Sequence, residues 1–181
     1  MPPKVKVQKK EIVSGAVELV RKEGASALNA RSLAKALNCS TQPIFSNFAT
    51  MEELREAVMG EADELCASYV AREMEENRYP SYMASGMAYI RFAKEEKELF
   101  KLLHLQGQNE DGVGPLTDSD FFTEGAEYAG EKLLHLELWA YVHGIAAMFA
   151  TSYLDLSWDL VSKMLSDSYA NLKKQWDDKK A

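Results

Sequence analysis

The chain is poor in the residues that build disulfide-linked or repetitive proteins. Of its 181 residues only two are cysteine, five are proline and ten are glycine. Cys39 and Cys66 cannot form a disulfide framework or a four-thiolate zinc site, so we expect a reducing, cytoplasmic setting. The scarcity of glycine and proline excludes a low-complexity chain. The length is sufficient to bury a hydrophobic core without cross-links.

Long hydrophobic runs are also missing from the sequence. The most apolar segment, residues 138–150, contains His143 and is shorter than the roughly 20 residues of a membrane-spanning helix. We therefore expect a buried helix there and no membrane partner. No segment alternates in the manner of a β-strand. Apolar residues instead recur at spacings of three and four, which predicts an all-α fold.

No arrangement of residues typical of catalysis is present. His104, His135 and His143 form no zinc-protease motif, and the sequence has neither a glycine-rich phosphate loop nor a nucleophile elbow. Adjacent carboxylates such as Glu52 and Glu53 are typical of solvated helix faces. We therefore predict that the protein is not an enzyme and that it uses no metal and no cofactor.

Charge is distributed unevenly along the chain. The net charge is −7, yet residues 1–50 carry eight basic and three acidic side chains, a net of +5, whereas residues 51–181 carry a net of −12. A basic segment is typical of proteins that bind a polyanion such as DNA. We therefore predict an N-terminal DNA-binding domain over 1–50 and a second helical domain over 51–181.

Three short helices are predicted in the N-terminal part, over residues 9–23, 30–37 and 41–48. Ile44, Phe45 and Phe48 are expected to form the apolar face of the third. The second and third helices are joined by a three-residue turn, which is the pattern of a helix-turn-helix. In that motif the second of the paired helices enters the major groove of DNA.

The third helix would carry the contacts to the bases. Gln42 and Asn47 can each form two hydrogen bonds with an adenine edge, and Thr41 can offer a methyl group to thymine. Basic side chains would contact phosphates. An alternative is three ordinary bundle helices, which a short helix with a polar start fits less well. The complete set of predicted DNA-contacting residues is Lys9, Lys10, Arg31, Lys35, Ser40, Thr41, Gln42, Pro43, Ile44, Ser46 and Asn47.

Residues 12–54 resemble the DNA-binding domain of TetR-type transcriptional regulators. That family has Leu-Thr-x-Arg-x-Leu-Ala after a glycine, and the chain reads Leu-Asn-Ala-Arg-Ser-Leu-Ala after Gly24. The family continues with Ser-x-x-x-Leu-Tyr-x-His-Phe, and the chain reads Ser-Thr-Gln-Pro-Ile-Phe-Ser-Asn-Phe at 40–48. Phe45 and Asn47 depart from the usual tyrosine and histidine, which removes polar phosphate contacts.

The resemblance implies an all-α homodimer in which the last two long helices of each subunit form a four-helix bundle. It also implies a C-terminal domain that binds a small molecule. We therefore expect a dimeric transcriptional regulator, a repressor released from a palindromic DNA operator by a small apolar or amphipathic effector. The alternatives are a DNA-binding regulator without an effector and a helical adaptor that binds another protein.

The remaining sequence predicts the interface and the effector pocket. Segments 132–153 and 157–172 are expected at the dimer interface, where Gly144, Ala147 and Thr151 form a ridge of small residues. A loop is predicted over 107–119 and a short helix over 120–129. The alternative is that the aromatic side chains assigned to the pocket belong only to the hydrophobic core. The predicted ligand-contacting residues are Tyr82, Tyr89, Phe92, Phe100, Leu103, Phe122, Trp139, His143 and Met148.

Overall fold

A computed structural model describes residues 7–105 and 129–180. These residues form helices joined by short connections, with no strand among them, which confirms the all-α prediction. The predicted loop over 107–119, nearly all of the predicted helix over 120–129 and Phe122 lie outside the described residues. The helices are α1 (Lys9–Glu23), α2 (Ala30–Ala36), α3 (Gln42–Asn47), α4 (Met51–Glu76), α5 (Ser81–Glu95), α6 (Lys97–His104), α7 (Ala129–Ala150) and α8 (Trp158–Lys180).

Side chains at the helix ends explain where the N-terminal helices begin and stop. A capping box opens α1, with the Gln8 N–H donating to Glu11 Oε2 at 2.7 Å. Gly24, with φ of +81°, ends α1 by adopting a backbone conformation that costs glycine little. The Asn29 side-chain oxygen accepts from two backbone N–H groups at the start of α2, and Thr50 caps α4 in the same way.

The N-terminal helices share one small core with the start of α4. Ile12, Leu33, Ile44, Phe48 and Leu54 are all fully buried there. Helix α1 packs against α2, α3, α4 and α6, so it links the first three helices to the rest of the chain.

One residue of this region lies opposite to its predicted place. Phe45 was expected on the apolar face of α3, but 51% of it is exposed. Ile44 and Phe48 are four residues apart and occupy one stripe of the helix, whereas Phe45 is rotated by about 100° from Ile44. A helix of six residues has room for only one buried stripe, so Phe45 faces outward.

Helices α4 to α8 form the larger part of the core. Helix α5 lies between α4 and α7 and also contacts α8. Gly86 permits this packing, because a Cβ atom there would lie 3.2 Å from Val142 Cγ2. Within the described residues, every helix is too short or too polar to cross a lipid bilayer.

Ion pairs that are at least partly buried join several of the helices. Arg21 on α1 donates from Nε and Nη2 to the two carboxylate oxygens of Glu96, at 2.8 and 2.9 Å, between α5 and α6. On α4, the carboxylate of Glu73 is fully buried and accepts from Arg78 at 2.9 Å and from Arg91 at 3.3 Å. Arg91 in turn stacks over the ring of Trp158 at the start of α8.

Candidate nucleic-acid interface and effector site

The outward face of α3 is formed by Gln42, Phe45 and Ser46, all of them exposed. The Ser46 hydroxyl donates to the backbone oxygen of Gln42 at 2.8 Å, so its oxygen keeps its lone pairs for an outside donor. The Gln42 side chain forms no hydrogen bond within the described part of the chain. This face therefore offers one amide, one hydroxyl and one aromatic ring to solvent.

Asn47 and Ile44 are placed differently from the other predicted contacts. The Asn47 amide nitrogen donates to the Pro43 oxygen at 2.8 Å and to the Val7 oxygen at 3.4 Å, so it ties the start of the described chain to α3. The side chain of Ile44 is fully buried. This corrects the prediction that Ile44 contacts DNA, because a side chain inside the core has no surface to present.

Several basic side chains lie on α1 and α2, the helices that precede α3 in the chain. Lys10, Arg31 and Lys35 are exposed and make no ion pair within the described ranges. Lys9 lies over the Phe48 ring at 4.7 Å and pairs with Glu53 at 3.5 Å, so part of its charge is already compensated. Among the remaining predicted contacts, Ser40 is exposed and Thr41 and Pro43 are half-buried.

In the body, five rings from three helices meet in what we call the aromatic cluster: Tyr89, Phe100, His104, Trp139 and His143. The Tyr89 hydroxyl lies 3.0 Å from His143 Nδ1. Trp139 stacks on His143 with ring centres 4.8 Å apart and an angle of 20°. The structure thus brings together four residues that the sequence predicted as ligand contacts.

His104 belongs to this cluster, although sequence reasoning did not select it. Its ring centre lies 4.8 Å from that of Phe100 and 5.2 Å from that of Tyr89. Its Nε2 atom is buried and has no hydrogen-bond partner in the described part of the chain. The signal in the sequence was the spacing, since residues 100 and 104 are four apart and share a helix face.

Burial changes the titration of the cluster. It lowers the pKa of His104 to about 4, with a smaller contribution from the nearby His143 ring. Burial also lowers the pKa of His143 and raises that of Tyr89. The three polar side chains are therefore uncharged at neutral pH.

Other predicted ligand contacts lie elsewhere. Phe92 is fully buried behind Phe100, and Leu103 is buried beside it. Met148 is exposed on the outside of α7. Tyr82 is exposed as well and stacks on Tyr169 of α8, with ring centres 3.9 Å apart.

Tyr82 borders a separate cavity of about 470 Å³ between α5, α7 and α8. This distal cavity has an apolar floor and a rim that carries both signs of charge. Its volume lies within the range of small-molecule sites. Its lining residues are Tyr82, Met83, Ser85, Gly86, Leu134, His135, Leu138, Val142, Leu165, Tyr169, Lys173, Trp176 and Asp177.

The outside of α7 and α8 is unusually apolar. We define the outward α7–α8 face by Gly144 and by four exposed apolar side chains, those of Leu136, Tyr141, Met148 and Leu160. A Cβ atom built on Gly144 would meet no atom within 4 Å. The face therefore contains a shallow depression flanked by apolar side chains.

Comparison of the chain with protein-family models and with curated proteins identified no relative. No protein-family model matches the chain, and a search of curated proteins found no significant match. In the described part of the chain, no group of three or more histidine, cysteine or acidic side chains is arranged to hold a metal ion. The assignment of function therefore depends on the residues and their geometry.

Proposed function

We propose that the protein is a dimeric, DNA-binding transcriptional regulator of the TetR type, a cytoplasmic repressor whose operator is palindromic. In this proposal it is not an enzyme, and a small apolar or amphipathic molecule releases it from DNA. The observation that carries the proposal is the outward face of α3, where Gln42 and Ser46 are exposed on a short helix that follows two helices with exposed basic side chains.

The arrangement of α2 and α3 supports a helix-turn-helix over residues 30–47. Asn38, with φ of +51°, adopts the left-handed conformation that a tight turn between two helices requires. Ile44 and Phe48 anchor α3 in the core, so that Gln42 and Ser46 point away from it. A short helix fixed on one side and polar on the other suits insertion into the major groove.

The outward α7–α8 face supports a homodimer. Exposed apolar patches of this kind mark interaction surfaces in soluble proteins. Gly144 would let a second helix approach closely, because no atom of the described residues occupies the space beside it. A two-fold dimer would bury the same face of both subunits.

The aromatic cluster supports an effector in the C-terminal part. Convergent aromatic rings with a few polar atoms are typical of small-molecule sites. The cluster lies on α5, α6 and α7, and α6 packs directly against α1. A ligand that prefers one arrangement of these helices would shift the population of DNA-binding states. Cys39 and Cys66 are both free thiols, which suits the cytoplasm.

Fluorescence anisotropy would test DNA binding directly. The titration would use the DNA upstream of the protein's own gene, with a scrambled duplex of the same composition as control, at two salt concentrations. We expect selective binding that weakens steeply with salt, because bound phosphates release counterions. Where the upstream duplex shows no selectivity, a duplex selected from a random pool replaces it.

Weak, salt-insensitive binding to the selected duplex would contradict the proposal and favour a helical adaptor. Selective DNA binding that no small molecule weakens would instead favour a regulator without an effector. The two alternatives are thus distinguished by the same assay.

A further inference from the structure

His104 holds a polar atom that the fold does not use. Among the described residues, its Nε2 is the one buried side-chain nitrogen or oxygen without a hydrogen-bond partner. Such an atom has lost its water without gaining a replacement, which lowers the stability of the folded state. A leucine could fill similar space without this loss. We therefore expect an apolar side chain at this position to stabilise the fold at least as well as the imidazole does.

The surroundings of His104 define what could bond to it. Phe100 and Trp139 supply flat apolar surfaces on either side of the cluster. The Tyr89 hydroxyl and His143 Nδ1 already form a hydrogen bond with each other, so these two atoms need no ligand as a partner. Within the described residues, Trp139 and His143 are only half-buried, so part of each ring is accessible. A planar molecule could lie against this accessible ring surface.

The charge state of the cluster restricts the ligand further. His104 and His143 are held neutral by burial, and the cluster contains no carboxylate, lysine or arginine. A charged ligand would lose its hydration here without finding a counter-charge. A neutral hydroxyl group avoids that cost and can both donate and accept, so it bonds to Nε2 in either tautomer of the imidazole.

We propose that the aromatic cluster binds a neutral aromatic molecule with a hydroxyl group, and that His104 Nε2 recognises the hydroxyl. This inference rests on the proposed function, since it names the chemical class of the effector of that same regulator.

Calorimetric titration of the full chain, without DNA, would test the ligand class. The probes are p-cresol, toluene, which lacks the hydroxyl, and 4-methylbenzoate, which carries a charge. We expect p-cresol to bind about tenfold more tightly than toluene, the factor that one good hydrogen bond provides. The 4-methylbenzoate ion should bind least. Equal affinities, a preference for the ion, or no binding of p-cresol would overturn the inference.

Two substitutions would test the role of His104 itself. His104→Leu should raise the unfolding temperature by about 2–4 °C, because the unpartnered atom is gone. The same variant should bind p-cresol and toluene equally. His104→Gln keeps a hydrogen-bonding group and should retain part of the preference for p-cresol. A lowered unfolding temperature in His104→Leu, or an unchanged preference, would show that the imidazole is structural.

These experiments fail separately from the test of DNA binding. A protein that binds its operator but not p-cresol would refute only the ligand class. A protein that binds p-cresol through His104 but no DNA would refute the regulator and keep the binding site.

Discussion

The two ends of the molecule expose opposite kinds of surface. The outward face of α3 is polar, and residues 1–50 carry a net charge of +5 and no histidine. The outward α7–α8 face is apolar, and residues 51–181 carry a net charge of −12 and all three histidines. Charge repulsion would keep the acidic part away from DNA, and the apolar face would gain nothing from phosphates. The difference fits the two proposed partners, a polyanion at one end and a second copy at the other.

The largest effect is expected at the apolar end. Gly144→Leu should raise the free energy of the dimer by about 2–6 kcal/mol, because overpacking acts twice in a two-fold interface. Since a Cβ atom at Gly144 meets nothing within 4 Å among the residues that the structure describes, the monomer should fold normally. Sedimentation velocity would measure the dissociation, and circular dichroism the fold.

Gly60 offers a matched control for this substitution. It lies on α4, away from the outward α7–α8 face, and a Cβ atom there also meets nothing within 4 Å. Gly60→Leu should leave the dimer intact. If Gly144→Leu sediments as the wild type does, the apolar end is not the dimer interface. The contrast between the two ends would then not reflect two different partners.

Acid should lower the stability of the part of the chain that contains the histidines. The N-terminal helices contain no histidine, so no histidine contributes to the pH dependence of their stability. The pKa of His104 lies at about 4 in the folded state, below its ordinary value of 6.5. Between these values the unfolded chain takes up a proton that the folded chain refuses, so the free energy of unfolding falls as pH falls. The loss should reach about 2–3 kcal/mol by pH 4. Urea unfolding at several pH values would measure it.

His104→Leu isolates this contribution from that of the carboxylates. The variant should show a flatter decline from pH 6.5 to 4, while both proteins should show no histidine-dependent change above pH 7. Identical pH profiles would mean that His104 is solvated and titrates normally.

Much of the fold could be predicted from the sequence because its signals are local. Helix α1 ends at Gly24, and α4 begins after Thr50, whose hydroxyl accepts from the Glu53 N–H. The orientation of Phe45 could not be predicted, since six residues are too few to define a hydrophobic period. Position on a short helix depends on which side chains the neighbouring helices can accommodate.

The candidate sites were less predictable because they depend on contacts between distant residues. Tyr89, Phe100, Trp139 and His143 do meet, yet Met148 faces outward and Tyr82 borders another cavity. The spacing of residues along a helix predicts which face of the helix a side chain lies on. It does not predict which other helix packs against that face. His104 became a candidate only when the structure showed its nitrogen buried without a partner.

At the polar end, Gln42→Ala should reduce discrimination between the operator and a single-base variant by about 1–3 kcal/mol. The reason is that Gln42 is exposed and free to bond an adenine edge. Competitive anisotropy with the two duplexes would measure the difference. Asn47→Ala is the comparison: its amide is bonded to Pro43 and Val7, so it should lower affinity for all sequences alike. If instead Asn47→Ala lost discrimination and Gln42→Ala lost affinity for all sequences alike, Asn47 would be the residue that bonds the base.

The smallest effect concerns the contact between the two ends. Arg21→Lys should cost about 1 kcal/mol of stability, because lysine cannot form the two parallel hydrogen bonds that Arg21 makes with Glu96. Thermal unfolding would measure this loss, with Lys22→Arg on the neighbouring exposed position as control. An equal change in both variants would show that the pair does not join the ends.

Helix α4 gives the molecule the geometry of a lever. Its 26 residues span about 39 Å from the end of α3 to the turn before α5. Near its far end the buried carboxylate of Glu73 is held by Arg78 and Arg91, which makes that region a fixed pivot. A tilt of about 5° around such a pivot would displace the near end by about 3 Å, close to the 3.4 Å between successive bases of one DNA strand. In the proposed complex with DNA, such a displacement would move α3 by about one step along the groove.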